Sequence, residues 1–269
     1  MFVIARIAVH VFKDSVRDRV PYTLLVFAVL MIGASVLIGQ LTAGQDVKII
    51  KDLGLTASSV FGLLIAVFIG VSLVAKEVDR KSIYTLLSKP VRRHEVVLGK
   101  YAGLVLTLAV NLAVMAVAHY GILAYLSLTE SEEFKRSWEA PATDFALLAA
   151  YFLIFMELMI VTAIALFLST FSSPILSAAL TFGLYVVGHF NADLRALEDV
   201  LGTNNAAVYL AKGLSYVLPN LEPFSITAEV VHGQTVPVGY LGLMTAYALT
   251  YIAILLLGSM FIFSRRDFT

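Results

Sequence analysis

The sequence predicts an all-α integral membrane protein, and three observations carry that prediction. Hydrophobic residues make up 59% of the 269 positions and charged residues only 14%, whereas soluble domains carry about 25% charged residues. The mean hydropathy is +0.89. The apolar residues also fall into separate long runs, most of them near the ~20 residues with which a helix crosses a hydrocarbon core of ~30 Å. We expect one transmembrane domain covering residues 1–269.

Six runs are predicted to be transmembrane helices. They are expected at residues 21–41, 58–75, 101–128, 144–171, 175–190 and 238–263. The fifth is short, and only a Ser-Ser-Pro turn separates it from the fourth, because proline cannot continue a helix. The outer loop at residues 191–237 holds apolar pieces too interrupted to span, which we expect to form short helices at the outer surface.

The basic residues predict that both termini lie in the cytoplasm. In that orientation the cytoplasmic segments hold 13 of the 19 lysine and arginine residues, as the positive-inside rule requires. The outer loops hold most of the acidic residues. The opposite orientation would place the larger basic share outside, so an N-in, C-in topology follows.

Residues 2–20 are predicted to form an amphipathic helix before the first span. Its apolar face consists of Ala5, Val9, Phe12, Val16 and Val20, and its basic face of Arg6, His10, Lys13 and Arg17. Such a helix lies in the plane of the membrane surface, with its basic residues near anionic headgroups. A solvated basic lead-in is the alternative interpretation.

The chain has no sequence signature of a catalytic site. It contains no G-x-x-x-x-G-K-[ST] phosphate loop, no H-E-x-x-H zinc helix and no G-x-S-x-G nucleophile turn. It also has no cysteine, so disulfides and thiolate metal sites are excluded. We expect a non-catalytic chain that binds no metal or cofactor itself and has no nucleic-acid partner.

Four polar residues are predicted to lie at membrane depth: Asn111, His119, Glu157 and His189. Of these, Glu157 lies near the middle of the fourth span and Asn111 near the middle of the third. A carboxylate at this depth costs several kcal/mol unless it is protonated, paired or wetted. Asn111 lies at a similar depth and could hydrogen-bond Glu157, a packing role worth roughly 1 kcal/mol. A substrate or proton site is the alternative.

The loop at residues 76–100, between the second and third spans, is both basic and regularly patterned. Ile83, Leu86 and Leu87 share one side of a predicted short helix. Pro90 disfavours helix at the residue before it, and a new helix is expected to begin near His94. The pattern predicts an amphipathic helix on the cytoplasmic face, laid on the bundle or inserted into a groove of a partner.

The run AKEVDRKSIYTLLSKPVRRHEVVLGKYAG resembles the signature of bacterial ABC exporter permeases of the second class. Its part LSKPVRRHEVVLGKY is similar to the subgroup labelled multicopper-enzyme maturation permeases. The positions that match the signature are Glu77, Leu86, Leu87, Pro90, Arg93, Gly99 and Lys100. The resemblance covers nearly the whole chain, and it departs at Lys81 and Ser82, where many relatives have a glycine.

The resemblance implies a half-transporter of the prokaryotic inner membrane. It would pair with a second permease subunit, identical or different, and bind two cytoplasmic ABC ATPase subunits that hold the ATP and Mg²⁺. A further periplasmic or membrane partner is also possible in such assemblies. The loop helix would be a coupling helix that contacts the ATPase through Ile83, Tyr84, Leu86, Leu87, Pro90, Arg92 and Arg93.

The function implied is that of the permease subunit of an ATP-driven exporter with an unidentified substrate. One alternative is a mechanotransmitting or regulatory subunit, which passes ATP-driven movement to a periplasmic partner without transporting a substrate. Another is an ATP-independent transporter or channel. Few polar residues fall in the predicted spans, so a hydrophilic path is poorly supported and a hydrophobic, lipid-like cargo is favoured.

Overall fold

The computed structural model describes residues 2–41, 46–79, 92–136, 138, 140–191, 209, 213, 215 and 218–265. Nearly all of these residues are helical, and no β-strand occurs among them. The all-α prediction is therefore confirmed for the part of the chain that the structure describes.

Each predicted span overlaps one described helix, and the helices follow one another in the predicted order. The α-helices within the described ranges are α1 (Phe2–Val16), α2 (Arg19–Gln40), α3 (Asp46–Asp79), α4 (Arg93–Thr129), α5 (Glu132–Lys135), α6 (Phe145–Ser169), α7 (Pro174–His189), α8 (Thr227–Val231) and α9 (Val238–Arg265). A single-turn 3₁₀ helix, Glu222–Phe224, precedes α8.

Five of the described helices, α2, α3, α4, α6 and α9, are long and apolar enough to cross a membrane. Helix α7 is apolar but has 16 residues, so it rises only about 24 Å, less than the ~30 Å of a hydrocarbon core. The fifth predicted span is thus a short helix, and the count of six complete spans stays a prediction.

Two helix boundaries differ from those expected. Helix α3 begins at Asp46, whereas the predicted span begins at residue 58. The helix therefore includes residues 46–57, which come before the apolar run. Helix α1 ends at Val16 rather than at residue 20. Asp18 lies between α1 and α2 with extended backbone, and its carboxylate accepts a hydrogen bond of 3.4 Å from the N–H of Val20. This N-cap starts α2 as a separate helix.

Helix α6 is the centre of the bundle, and most of its residues are buried. It runs parallel to α3 at close range. A Cβ atom added to Gly62 would lie 2.5 Å from Cδ1 of Leu158, and one added to Gly70 would lie 2.7 Å from Cβ of Ala165. Inside a membrane, water supplies no hydrophobic force that brings helices together, so their contact depends on close packing. Small residues at such crossings allow that close packing.

Helix α4 runs antiparallel to α6. Near its beginning, the Tyr101 hydroxyl donates to the carbonyl oxygen of Met159 at 3.1 Å. Near its end, the His119 ring lies 3.0 Å from the Tyr151 hydroxyl. We call the end of the bundle at which α2 and α4 begin, and α3 and α6 end, the basic end. The opposite end is the acidic end.

Candidate functional site

The predicted coupling helix lies outside the described residues, together with its named positions Ile83, Tyr84, Leu86, Leu87 and Pro90. The structure describes the point where this loop ends. The backbone N–H of Arg92 donates to the Glu95 carboxylate at 3.0 Å, and Arg93 is the first residue of α4. This side-chain cap satisfies one of the donors at a helix start. Helix α4 therefore begins within the segment predicted as the loop, at Arg93, close to the start expected near His94.

Gly99 and Gly103 bring α4 into backbone contact with the N-terminal helix α1. A Cβ atom at Gly99 would lie 2.7 Å from Cβ of Ile7. One at Gly103 would lie 2.6 Å from the carbonyl oxygen of Ala8 and 2.7 Å from Cβ of Val11. Carbon atoms in contact are normally ~3.5–4.0 Å apart, so only glycine permits this packing. We call this contact the α1–α4 clamp.

The clamp uses a face of α1 that the sequence pattern did not single out. Ile4, Ile7, Ala8 and Val11 are half-buried or buried. The predicted apolar face instead points outward, with Val9 46% and Val16 51% exposed. The basic face is exposed as well. Helix α1 thus has one face on the bundle and leaves an apolar face and a basic face uncovered by the described chain.

A buried polar chain joins α3, α4 and α6 near the acidic end. The two ring nitrogens of His119 lie 3.0 Å from the Tyr151 hydroxyl and 3.1 Å from the carbonyl oxygen of Ile50. The Tyr151 hydroxyl is also 3.0 Å from the Ser58 hydroxyl, which is 2.8 Å from the Gly54 carbonyl oxygen. Because Ile50 offers only an acceptor, the facing nitrogen Nε2 carries the hydrogen, and Nδ1 accepts from Tyr151.

Gly54 and Lys51 complete this region on α3. A Cβ atom at Gly54 would overlap the His119 ring, so the ring packs directly on the helix backbone. Lys51 is fully buried, and its Nζ donates to the carbonyl oxygen of Pro141 at 2.7 Å. Sequence reasoning noted His119 only as a polar residue at depth. Its partners lie on other helices, so no local pattern could reveal them.

Glu157, the candidate in the fourth predicted span, lies in the middle of α6 and is 1% exposed. Its Oε1 atom is 3.2 Å from Nε2 of His189, the last residue of α7. The Tyr185 side chain, one turn earlier on α7, hydrogen-bonds the same carboxyl group, and Ser59 of α3 hydrogen-bonds Tyr185. Helices α6 and α7 therefore meet at this carboxyl group, and α3 is joined to them through Ser59 and Tyr185.

The partner that the sequence suggested for Glu157 bonds elsewhere. The side-chain amide of Asn111 donates to the carbonyl oxygen of Thr107 in its own helix at 2.7 Å. This bond uses one of the two N–H donors of the amide within its own helix. The structure thus gives Glu157 partners on α7 in place of Asn111 on α4.

The segment after residue 218 packs on the end of α7. The carbonyl oxygen of Gly188 accepts a hydrogen bond of 3.0 Å from the N–H of Leu221. Leu221 and Phe224 are fully buried, and the N–H of Asn220 donates to the Tyr247 hydroxyl of α9 at 2.9 Å. The expected short helices at this end do occur, as the 3₁₀ helix and α8. Their core residues lie inside the bundle rather than on its surface.

No cluster in the described part of the chain resembles a metal site. Within those residues, no three His, Asp or Glu side chains are grouped so that they could hold a metal ion. The polar groups instead bond one another across helices.

The comparisons with known proteins identify a family for almost the whole chain. Residues 5–268 match the family described as ABC-2 family transporter protein. A search of the curated proteins finds no match to this chain.

Proposed function

The chain belongs to the ABC-2 transporter family, and from this membership we propose that it is the permease subunit of an ATP-driven exporter. The family match over residues 5–268 carries the proposal. Members of this family are membrane transport components that work with ABC ATPase subunits, and several helices here are long and apolar enough to span a membrane. The protein is therefore a multi-pass membrane protein.

We place the protein in a prokaryotic inner membrane, with the basic end of the bundle on the cytoplasmic side. The support is the excess of lysine and arginine in the segments at that end. In this orientation α1, the loop at residues 76–100 and the start of α4 face the ATPase. ATP and Mg²⁺ then belong to the partner, since the chain has no phosphate loop of the Walker type.

The α1–α4 clamp supplies a physical route for coupling. Because Gly99 and Gly103 allow no gap between the two helices, force on α1 or on the adjoining loop moves the start of α4. Close-packed interiors transmit displacement, and Tyr101 joins this part of α4 to Met159 of α6. A push from the ATPase would thus reach the centre of the bundle.

The assembly that we propose contains two copies of a permease subunit, of one kind or two, and two ATPase subunits. We propose an apolar or lipid-like cargo, because few polar residues fall in the predicted spans. Because the chain resembles multicopper-enzyme maturation permeases, we include a partner outside the membrane as a further component of the assembly.

A mechanotransmitting subunit is the second candidate function. One observation favours it: the polar groups inside the bundle join helices to one another, as in the chain of His119, Tyr151 and Ser58. Such bonds suit a rigid transmitter of movement. ATP-dependent transport of labelled lipid in vesicles that contain the permease and its ATPase would support the exporter, and ATP hydrolysis without any transport would support the transmitter.

The ATPase contact is tested by a charged double variant. Replacing Leu86 and Leu87 with Asp is expected to abolish co-purification of the ATPase, because a docking groove for apolar side chains excludes carboxylates. The matched control replaces Leu41 and Leu128 with Asp, which are 86% and 84% exposed at the acidic end, and should retain the ATPase. Unchanged co-purification of the Leu86 and Leu87 variant would contradict the docking role.

A further inference from the structure

Helix α1 lies at the level where two predicted spans begin. Its close contacts are with Gly99 and Gly103 of α4, at the start of the third predicted span. It ends at Val16, and Arg19 begins α2 just before the first predicted span. A helix at the start of a span lies at the membrane surface. It has the bundle on one side, and the rest of its circumference meets hydrocarbon, lipid headgroups and water.

The side chains of α1 divide into four sectors around the helix axis. Successive residues of an α-helix are about 100° apart around this axis, which fixes the order of the sectors. Apart from the clamp side, all of them are exposed. In order around the axis they are the clamp side (Ile4, Ala8 and Val11), an apolar sector (Ala5, Val9 and Val16), a basic sector (Arg6, Lys13 and Arg17) and a polar sector (His10 and Asp14).

This order matches the surroundings of a helix that lies beside a bundle at the membrane surface. From the bundle side, such a helix meets first the hydrocarbon, then the headgroups and then water. Val9 and Val16 of the apolar sector are 46% and 51% exposed, so acyl chains can cover them. The long side chains of the basic sector come next, at the height of the headgroups. The polar sector faces water, and its acid Asp14 lies 3.4 Å from the His10 ring.

The basic sector is a single row of positive charge. Arg6, Lys13 and Arg17 fall within about 40° of one another around the axis. Within the described residues, no ion pair involves any of the three. A phosphate group complements such a row, because it accepts charge-assisted hydrogen bonds from arginine and lysine. Each base near an anionic membrane surface strengthens binding by about 5-fold.

We propose that the basic sector of α1 binds the headgroups of anionic phospholipids, whose acyl chains cover the apolar sector. One class of ligand then covers both surfaces that the described chain leaves open. A cytoplasmic protein such as the ATPase would reach the polar sector, but it would leave Val9 and Val16 in water. Because the basic sector lies roughly opposite the clamp side around the axis, the bound lipid holds α1 against α4.

A fluorescent label on α1 reports which lipids surround it. The chain has no cysteine, so Val9→Cys supplies a unique attachment site in the apolar sector. The full chain, without the ATPase, is placed in phosphatidylcholine nanodiscs that contain an equal share of either brominated phosphatidylglycerol or brominated phosphatidylcholine. Bromine quenches the label on contact, so the two signals compare the anionic with the neutral lipid at this helix. We expect stronger quenching by phosphatidylglycerol, and a smaller difference at high salt, which screens charges.

Removal of the basic row tests its contribution to this preference. The triple variant Arg6→Gln, Lys13→Gln and Arg17→Gln should lower the preference for phosphatidylglycerol by about 5-fold or more. Replacing both arginines with lysine keeps the charge and should keep the preference. Asp14→Asn is the matched control, because it changes a charge in the polar sector of the same helix and should leave the preference unchanged. A label at Leu243, 64% exposed near the start of α9, should show no preference.

Single spin labels measure the orientation of α1 independently. A label at Val9 should be relaxed by oxygen, which concentrates in hydrocarbon, and one at Asp14 by a water-soluble nickel chelate. The reverse pattern would overturn the proposal, and so would a triple variant that keeps the wild-type lipid preference. A triple variant that keeps this preference and loses ATPase co-purification would assign the basic sector to the ATPase instead. If the triple variant fails to fold, the wild-type chain still decides, because a missing or salt-independent preference would refute the proposal.

Discussion

Replacing Gly103 with Ala tests whether the α1–α4 clamp couples the N-terminal helix to the bundle. The added Cβ atom would lie 2.6 Å from the Ala8 carbonyl oxygen and 2.7 Å from Cβ of Val11. Ordinary contact distances require the helices to separate by roughly 1 Å. Overpacking of this kind costs about 1–3 kcal/mol. The balance between docked and detached α1 should therefore shift about 5- to 150-fold toward the detached state.

Spin labels can follow the detachment directly. Cysteines replacing His10 on α1 and Leu106 on α4, both exposed in the structure, report the distance between the two helices. The Gly103→Ala chain should show a longer and broader distance distribution than the parent chain. In the complete assembly we expect the permease to stimulate its ATPase less, because the start of α4 no longer moves with α1.

Gly121→Ala is the matched control, since it makes the same change in the same helix. An added Cβ atom at Gly121 has no neighbour within 4 Å, so this variant should keep the parent distance and the parent ATPase stimulation. Equal behaviour of the Gly103 and Gly121 variants would refute the reasoning. It would mean that the two helices adapt to the methyl group without loss of contact.

Two further predictions concern the interior of the bundle. Tyr151→Phe removes the hydroxyl that bonds the His119 ring. It should lower the free energy of unfolding, measured in mixed micelles, by about 1 kcal/mol. The control variant Tyr125→Phe changes a side chain that is 66% exposed and should have no effect. Leu221→Ala empties a fully buried position beside α7 and should cost about 2–5 kcal/mol, whereas Leu243→Ala, 64% exposed on α9, should cost far less. A Leu221→Ala chain as stable as the Leu243→Ala chain would show that the segment does not pack on α7.

Several local features of this fold are predictable from short stretches of sequence. The long helices follow from apolar runs of membrane length, and the break between α6 and α7 follows from Pro174, which begins α7. Glu157 is conspicuous because a carboxylate within an apolar run is costly. Each of these conclusions depends on residues that are neighbours along the chain.

The partners of these residues could not be predicted in the same way. The G-x-x-x-G spacing at Gly99 and Gly103 indicates a close helix contact, but nothing in the motif points to α1. Glu157 was matched by depth with Asn111, whereas the structure pairs it with His189. The position of a residue along its span gives the depth of its side chain in the membrane. The rotation of the helix decides which neighbouring helix that side chain faces.

The amino-acid sequence by itself determined that this protein is a bundle of apolar helices with a basic loop between the second and third predicted spans. It could do so because the cost of placing charges in a membrane depends on composition and length. Only the tertiary structure decided that α1 clamps α4, that His119 joins three helices and that Glu157 of α6 lies beside His189 of α7. Those contacts depend on how the helices rotate and cross, which close packing of all their side chains sets together.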